Sequence, residues 1–479
     1  MTHSVSSPFA SLAARCAVLA GTIAFASACA AQEPVDLIVG GDYVVTMEAN
    51  GASVKDGGVI RDGAVAIKGG SIVAVGPRAG IAAKYRGKRS LSGANRVVMP
   101  GLINGHTHAA MTLLRGIADD IELIEWLNKY IFPTEVRFVD ADFVRIGTEL
   151  ACAEMIRGGT TTFVDMYYFA DSVARAVDAC GLRALVGSTV IGQKSPDSDS
   201  IDASLRAAGE FTARWKSHAR VVPMIAAHAV YTLDPEQLKR TRARAMELGI
   251  PISIHISESR FEIDYSQKNY GKTPVQHLED IGFFAGPTIG AHVVWPTDAD
   301  MAILARRKVG AIHNATSNMK ISSGIAPLTK LLAAGVPLGL GTDGAATNND
   351  QDMWDEMRLA AFLQKVATMD PKVIPARTAL ELATSRGADA IGLGDRIGRL
   401  AAGKRADLLQ VSLEDVHFTP MYDVVSHLVY IADEQDVVTT IVEGKVLMEN
   451  RKLLTVDEAR VRREGAALAA KIKAALATQ

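Results

Sequence analysis

"MPGLINGHTHAAMTLLRG", residues 99–116, sets two histidines one residue apart at the end of an apolar run. In a strand, residues i and i+2 point to the same side. His106 and His108 would therefore project together, close enough to share one metal ion. An isolated His-x-His is equally well explained as two polar residues on a loop. The rest of the chain decides, by supplying the missing ligands or failing to.

Downstream, short Val/Ile-rich runs alternate with helical patterns such as "DPEQLKRTRARAMELG" (234–249). Strands are expected at Val97–Met99 leading to His106, then at Thr161–Met166, Arg183–Val190, Val221–His228 and Ile252–Ser257. Three more follow at Thr288–Val293, Val309–Asn314 and Pro337–Asp343. Eight strands in roughly 250 residues is the arithmetic of a (β/α)8 TIM barrel. An open doubly wound sheet is the alternative, but no Gly-rich phosphate turn follows the first strand. The longest gap, Ala109–Phe138, would lie over the barrel mouth as a lid, and it carries Trp126, Phe132 and Glu135. The text on both sides of the barrel reads as β, in "DLIVGGDYVVTM" and "GAVAIKGGSIVAVG" early and in "KRADLLQVSL" and "VVTTIVEGKVLME" late. One small β-sandwich domain, built from residues 33–97 and 394–454, is expected around a barrel at 98–393. Residues 455–479 read as a C-terminal helix.

With 479 residues, 48% hydrophobic content and a formal charge of −2, the composition suits a soluble globular enzyme. No basic stripe points to nucleic acid and no low-complexity tract points to disorder. Residues 1–32 differ from the remainder. After Arg15, "CAVLAGTIAFASACAAQEP" is a short apolar region ending in small residues, too short to span a bilayer and suited to a secretory signal. Cys29 follows Ala26-Ser27-Ala28, similar to a lipoprotein box but without its usual Leu, so a lipid anchor at Cys29 is the alternative to simple cleavage. An exported, periplasmic enzyme is expected. Cys152 and Cys180 lie in apolar helical patterns and are expected as buried thiols.

Barrel enzymes carry their catalytic groups at the C-terminal ends of strands. Here those ends hold His106 and His108, His228, His255 with Glu258, His292, His313 and Asp343. Any one of these histidines is best read as structural, but the set together with an Asp on the eighth strand is not. Three imidazoles and a carboxylate suit one divalent ion, Zn2+ first and Fe2+ as the alternative, with water completing the shell.

"PGLINGHTHAAMTLLRG", "HISE", "IGAHVVW", "HNATSNMKISSGIAP" and "LGTDGAATNND" together resemble the amidohydrolase superfamily. Within it they are most similar to the methylthioadenosine/S-adenosylhomocysteine deaminase group and its chlorohydrolase relatives. The resemblance implies that His106, His108, His255 and Asp343 bind one metal and that His292 hydrogen-bonds its water. It implies Glu258 as the proton shuttle, and Glu135 and His228 as substrate contacts, with Glu135 on ribose hydroxyls. It also implies metal-bound hydroxide attacking the amino-bearing carbon of an aminopurine nucleoside such as adenosine or methylthioadenosine, and release of ammonia. The alternative is another aminated or halogenated ring, a triazine or a modified guanine. Trp126, Trp295 and Trp354 are candidate stacking partners in either case. His313 reads as loop-ordering, and His218, His277, His417 and His427 as surface or helix residues. Many relatives self-associate, so a homo-oligomer is implied too. One departure stands out. Members accepting adenosylhomocysteine hold its carboxylate with arginines after the third strand, whereas "GSTVIGQKSPDSDSIDASLR" offers Lys194 and no Arg before Arg206.

Overall fold

The computed structural model describes residues 32–48 and 58–476. The expected signal segment, apart from Gln32, lies outside the described residues, as does Cys29. Among the described residues no helix is long and apolar enough to cross a membrane.

Eight parallel strands form a nearly closed barrel: Leu102–Thr107, Thr160–Tyr167, Arg183–Val190, Val221–Ala227, Ile252–Ile256, Thr288–His292, Gly310–His313 and Leu338–Leu340. The first three are buried along their whole length, as expected where helices cover the outer face and side chains fill the interior. Several of the helices between them begin at side-chain caps. Asp140 accepts from the Phe143 amide at 2.8 Å, and Asp234, Thr273 and Thr297 each form a capping box.

The eighth strand has only three residues, so the seam to the first is completed beyond it. The Asp343 amide donates to the His106 carbonyl at 2.9 Å, and the Asn104 amide group donates to Thr342 Oγ1 at 2.7 Å. A Cβ on Gly341 would lie 2.7 Å from the His106 nitrogen, so this approach requires glycine.

The chain ends build a second, mixed sheet of nine strands among the described residues, ordered Lys452–Leu453, Lys445–Glu449, Val437–Val442, Leu408–Ser412, Arg96–Pro100, Glu33–Val45, Val59–Lys68 and Ser71–Pro77, with Tyr85–Leu91 also pairing with Glu33–Val45. It rolls over a shared core that includes Leu37, Ile67, Val98, Leu408 and Ile441. The expected barrel strand at Val97–Met99 belongs to this sheet instead, pairing with Leu409–Val411 on one side and Tyr43–Val44 on the other. Gly101 separates it from the true first barrel strand, and a Cβ there would meet Thr161 at 2.1 Å. Two apolar strands in succession look like one in the sequence, because periodicity alone does not report the turn between them.

A buried ion pair bolts the two units together. Arg183, at the base of the third barrel strand, donates from Nε and Nη2 to Asp407 at 2.8 and 3.2 Å, and Asp407 also accepts from the Glu443 amide at 2.7 Å. Cys152 and Cys180 are buried free thiols with their Sγ atoms 2.8 Å apart. The helix Glu458–Leu476 packs on Ala141–Gly158, held in part by Arg460 on Glu149 at 2.5 Å.

Candidate active site

Strand ends carry the site. His106 closes the first strand, and His108 begins the 3-10 turn that leads into the lid. His255, His292 and Asp343 stand at the ends of the fifth, sixth and eighth strands. Ser257, His292 and Asp343 have φ of +53°, +74° and +65°, left-handed conformations that cost non-glycine residues energy and gather where the chain must aim side chains.

The donor atoms converge. Nitrogens of His106, His255 and His292 lie within 4.8 Å of one another, and so do ligand atoms of His106, His108 and Asp343. Asp343 Oδ1 is 3.3 Å from His106 Nε2 and 3.2 Å from His108 Nε2, and His108 Nε2 is 3.4 Å from His255 Nε2. The outward nitrogens of His108 and His255 are spoken for. His108 Nδ1 lies 2.5 Å from the Met166 carbonyl and His255 Nδ1 2.9 Å from that of His228, so each donates there and keeps its Nε2 lone pair for the centre. His106 Nε2 and Asp343 Oδ1 are buried without a hydrogen-bond partner.

Such opposed lone pairs repel unless a cation sits among them. Burial holds His106 down at about 4 and His255 well below its usual range, so both stay neutral ligands. Burial also opposes charge on His108, but the hydrogen bond and charge of Asp343 outweigh it and lift His108 to about 9. The centre therefore draws positive charge, and this donor set fits a first-row divalent ion.

A second layer fixes these groups. Ser317 and Thr347 donate to Asp343 Oδ2 at 2.6 and 3.0 Å, leaving Oδ1 inward. His292 Nδ1 is 2.9 Å from Asn318 Oδ1, which turns Nε2 toward Glu258 Oε1 at 3.8 Å. Burial raises the Glu258 carboxyl above its ordinary range. The Glu258 amide in turn donates to Glu262 Oε2 at 2.8 Å, so a buried carboxylate braces the turn. His313 is buried, with Nδ1 3.5 Å from Asn318 Nδ2, and takes no place among the converging donors.

Above this floor lies a cleft between the strand ends and the lid. The lid supplies its apolar wall through Leu123, Trp126, Leu127, Ile131 and Phe132, while Glu135, His228, Glu258 and His292 face into it. Burial raises Glu135 to about 7, and its oxygens accept from Tyr167 at 2.8 Å and Tyr168 at 3.3 Å. His228, pushed down to about 3 by burial, is neutral. Of the three candidate stacking residues only Trp126 lines the cleft. Trp354 is core, its indole donating to the Gly158 carbonyl at 2.8 Å, and Trp295 sits in a neighbouring trough under Arg260. Aromatic identity does not tell wall from core.

Sequence reasoning missed Tyr167, Tyr168, Ser317 and Asn318. "MYYF" at the end of the second strand and "HNATSN" were the available signals, since both sit where barrels place function.

The Amidohydrolase family matches residues 97–447. The chain belongs to that family. Among amidohydrolases, it is 45% identical over 422 residues to a 5-methylthioadenosine/S-adenosylhomocysteine deaminase of Syntrophobacter fumaroxidans, covering 88% of this chain and 95% of the relative. It is 44% identical over 428 residues to a 5'-deoxyadenosine deaminase of Methanosarcina acetivorans, covering 89% and 96%. In structure it is similar to a zinc-bound adenosine deaminase of Xanthomonas campestris, with a TM-score of 0.89 and 37% identity over 92% of this chain and all of that one. An Arthrobacter triazine hydrolase shares the fold, with a TM-score of 0.82 at 23% identity, covering 90% of this chain and 99% of that one.

Proposed function

We propose that the chain is a metal-dependent aminohydrolase that removes the ring amino group of adenosine-type nucleosides. The observation that carries this reading is the pairing of converging donor atoms, His106 and Asp343 Oδ1 among them left without partners, with the buried carboxyl of Glu258 at the floor of an aromatic-walled cleft. His106, His108, His255 and Asp343 would hold one divalent ion, and Zn2+ fits the donors best. His292, whose nitrogen lies as close to His106 and His255 as a ligand would, is assigned to the attacking water because its Nε2 also faces Glu258. Bound there, a divalent cation lowers the pKa of a coordinated water toward neutrality and so supplies the nucleophile.

The chain's own residues supply the rest. Glu258, whose carboxyl burial shifts toward its proton-bearing form, donates to the ring nitrogen beside the amino-bearing carbon and draws electron density away from that carbon. His292 has Nδ1–H committed to Asn318, so Nε2 accepts a hydrogen bond from the attacking water and orients it. Asp343 Oδ1 takes the proton that this water loses as its oxygen bonds to carbon, since Oδ2 is occupied by Ser317 and Thr347. Asp343 then passes that proton to the amino nitrogen, the C–N bond breaks, and ammonia leaves. The new hydroxyl proton returns to Glu258 as the product settles into its ring-carbonyl form. Glu135, held between two tyrosines on the cleft wall, receives the sugar hydroxyls, and His228 and Trp126 border the base.

The test is ammonia release from adenosine, 5'-deoxyadenosine and methylthioadenosine by zinc-loaded protein, with chelated protein as control. Turnover of a triazine or of guanine, and of no adenosine derivative, would overturn the assignment. We propose export as well, on the composition of residues 1–32. N-terminal sequencing of protein from the native cells should begin beyond that segment, and an intact Met1 would refute it.

A further inference from the structure

We propose that the cleft selects nucleosides whose 5' position carries a small uncharged group, and that it rejects substrates bearing a 5' phosphate or a carboxylate tail. This rests on the function proposed above and names its substrate class more narrowly than the relatives' names do.

Charge is the first observation. The ionised or ionisable acids facing the cleft are Glu135, Glu258 and Asp343, and among the described residues that line it there is no Lys or Arg. Beyond Thr189 a side recess continues, and its carboxylates are Asp171, Asp197 and Glu210. Its one cation, Arg214, is spent on Asp171, with Nη1 2.5 Å from Oδ1. Lys194, the cation on the loop after the third strand, turns outward to Asp199 at 2.9 Å with 76% of its side chain exposed. Among the described residues, then, no Lys or Arg of the cleft or recess is left to pair an anionic tail, which would lose its hydration there without a partner.

Shape is the second. The lid wall of Leu123, Leu127, Ile131 and Phe132 buries a methyl, methylthio or hydrogen substituent at a gain that scales with apolar area. A phosphate on the 5' carbon sits too close to the base to escape to water, so it enters desolvated and unpaired. A homocysteine tail is longer and reaches the rim, so its penalty is smaller. The one rim cation near the cleft without an ion pair among the described residues is Arg260. It lies flat over Trp295, 3.5 Å from the ring centroid, in a trough that shares only Leu123 with the cleft.

The experiment compares kcat/KM of the zinc-loaded full chain for methylthioadenosine, 5'-deoxyadenosine, adenosine, adenosylhomocysteine and adenosine 5'-monophosphate. The uncharged three should lie together, adenosylhomocysteine about tenfold or more below them, and the monophosphate about 100-fold or more below, as an unpaired buried charge requires. Adenosylhomocysteine or the monophosphate within tenfold of methylthioadenosine overturns the inference while leaving the deaminase reading intact. Turnover of none of the five overturns the deaminase reading itself. Arg260→Gln should leave the adenosylhomocysteine to methylthioadenosine ratio unchanged. A tenfold fall in that ratio would show the carboxylate paired at the rim and refute the argument from charge.

Discussion

Replacing Glu258 by Gln isolates the proton from everything else in the site. The side chain keeps its length, and the turn keeps its brace, because the bond to Glu262 comes from the main-chain amide at 2.8 Å. The converging donors are untouched, so metal content measured by elemental analysis should stay near one ion per chain. A carboxyl whose pKa is raised by burial pays a penalty in the folded state once it ionises. Gln carries none, so the melting temperature at neutral pH should hold or rise slightly. What disappears is the donor to the ring nitrogen. General acid–base contributions run to about 10²–10⁴ in rate, or about 2.7–5.4 kcal/mol of barrier. Ammonia release from 5'-deoxyadenosine should therefore fall by that factor in kcat, with KM changed little. A variant holding its metal and keeping more than a tenth of wild-type kcat would refute the role assigned to Glu258.

Asp343→Asn should lose both metal affinity and activity, since it removes an inward oxygen, whereas Ser317→Ala should keep the metal and lower kcat by about tenfold through misorientation. Glu135→Gln should raise KM for adenosine several-fold. It should also change stability against pH, because burial lifts Glu135 from 4.5 to about 7. Between those values the folded chain binds the proton more than the unfolded chain does, so wild-type stability falls as pH rises from 4.5 to about 7. The variant's melting profile should be flatter across that window, and an identical slope would refute the shift. Arg183→Met leaves Asp407 buried without its partner and should cost about 3–5 kcal/mol, read as a lowered denaturation midpoint. Adding Asp407→Asn should recover part of that loss.

Much of this protein was legible in its residues. The i, i+2 spacing of His106 and His108, a His or Asp closing successive strands, and the β/α alternation all follow from local pattern, because a strand's period and a barrel's polarity hold wherever the strand lies. Tertiary structure settled what depends on closure and register. It moved Val97–Met99 into the outer sheet, since only pairing partners distinguish two successive apolar strands. It sent Trp354 to the core and Trp295 to another trough, leaving Trp126 on the wall. It set His292 against Asn318 and Glu135 between two tyrosines, contacts between segments far apart in sequence. The chain's order of residues determines which groups are available for chemistry. Which lone pairs are left without partners, and what sign of charge surrounds them, is decided only when eight strand ends meet around one point.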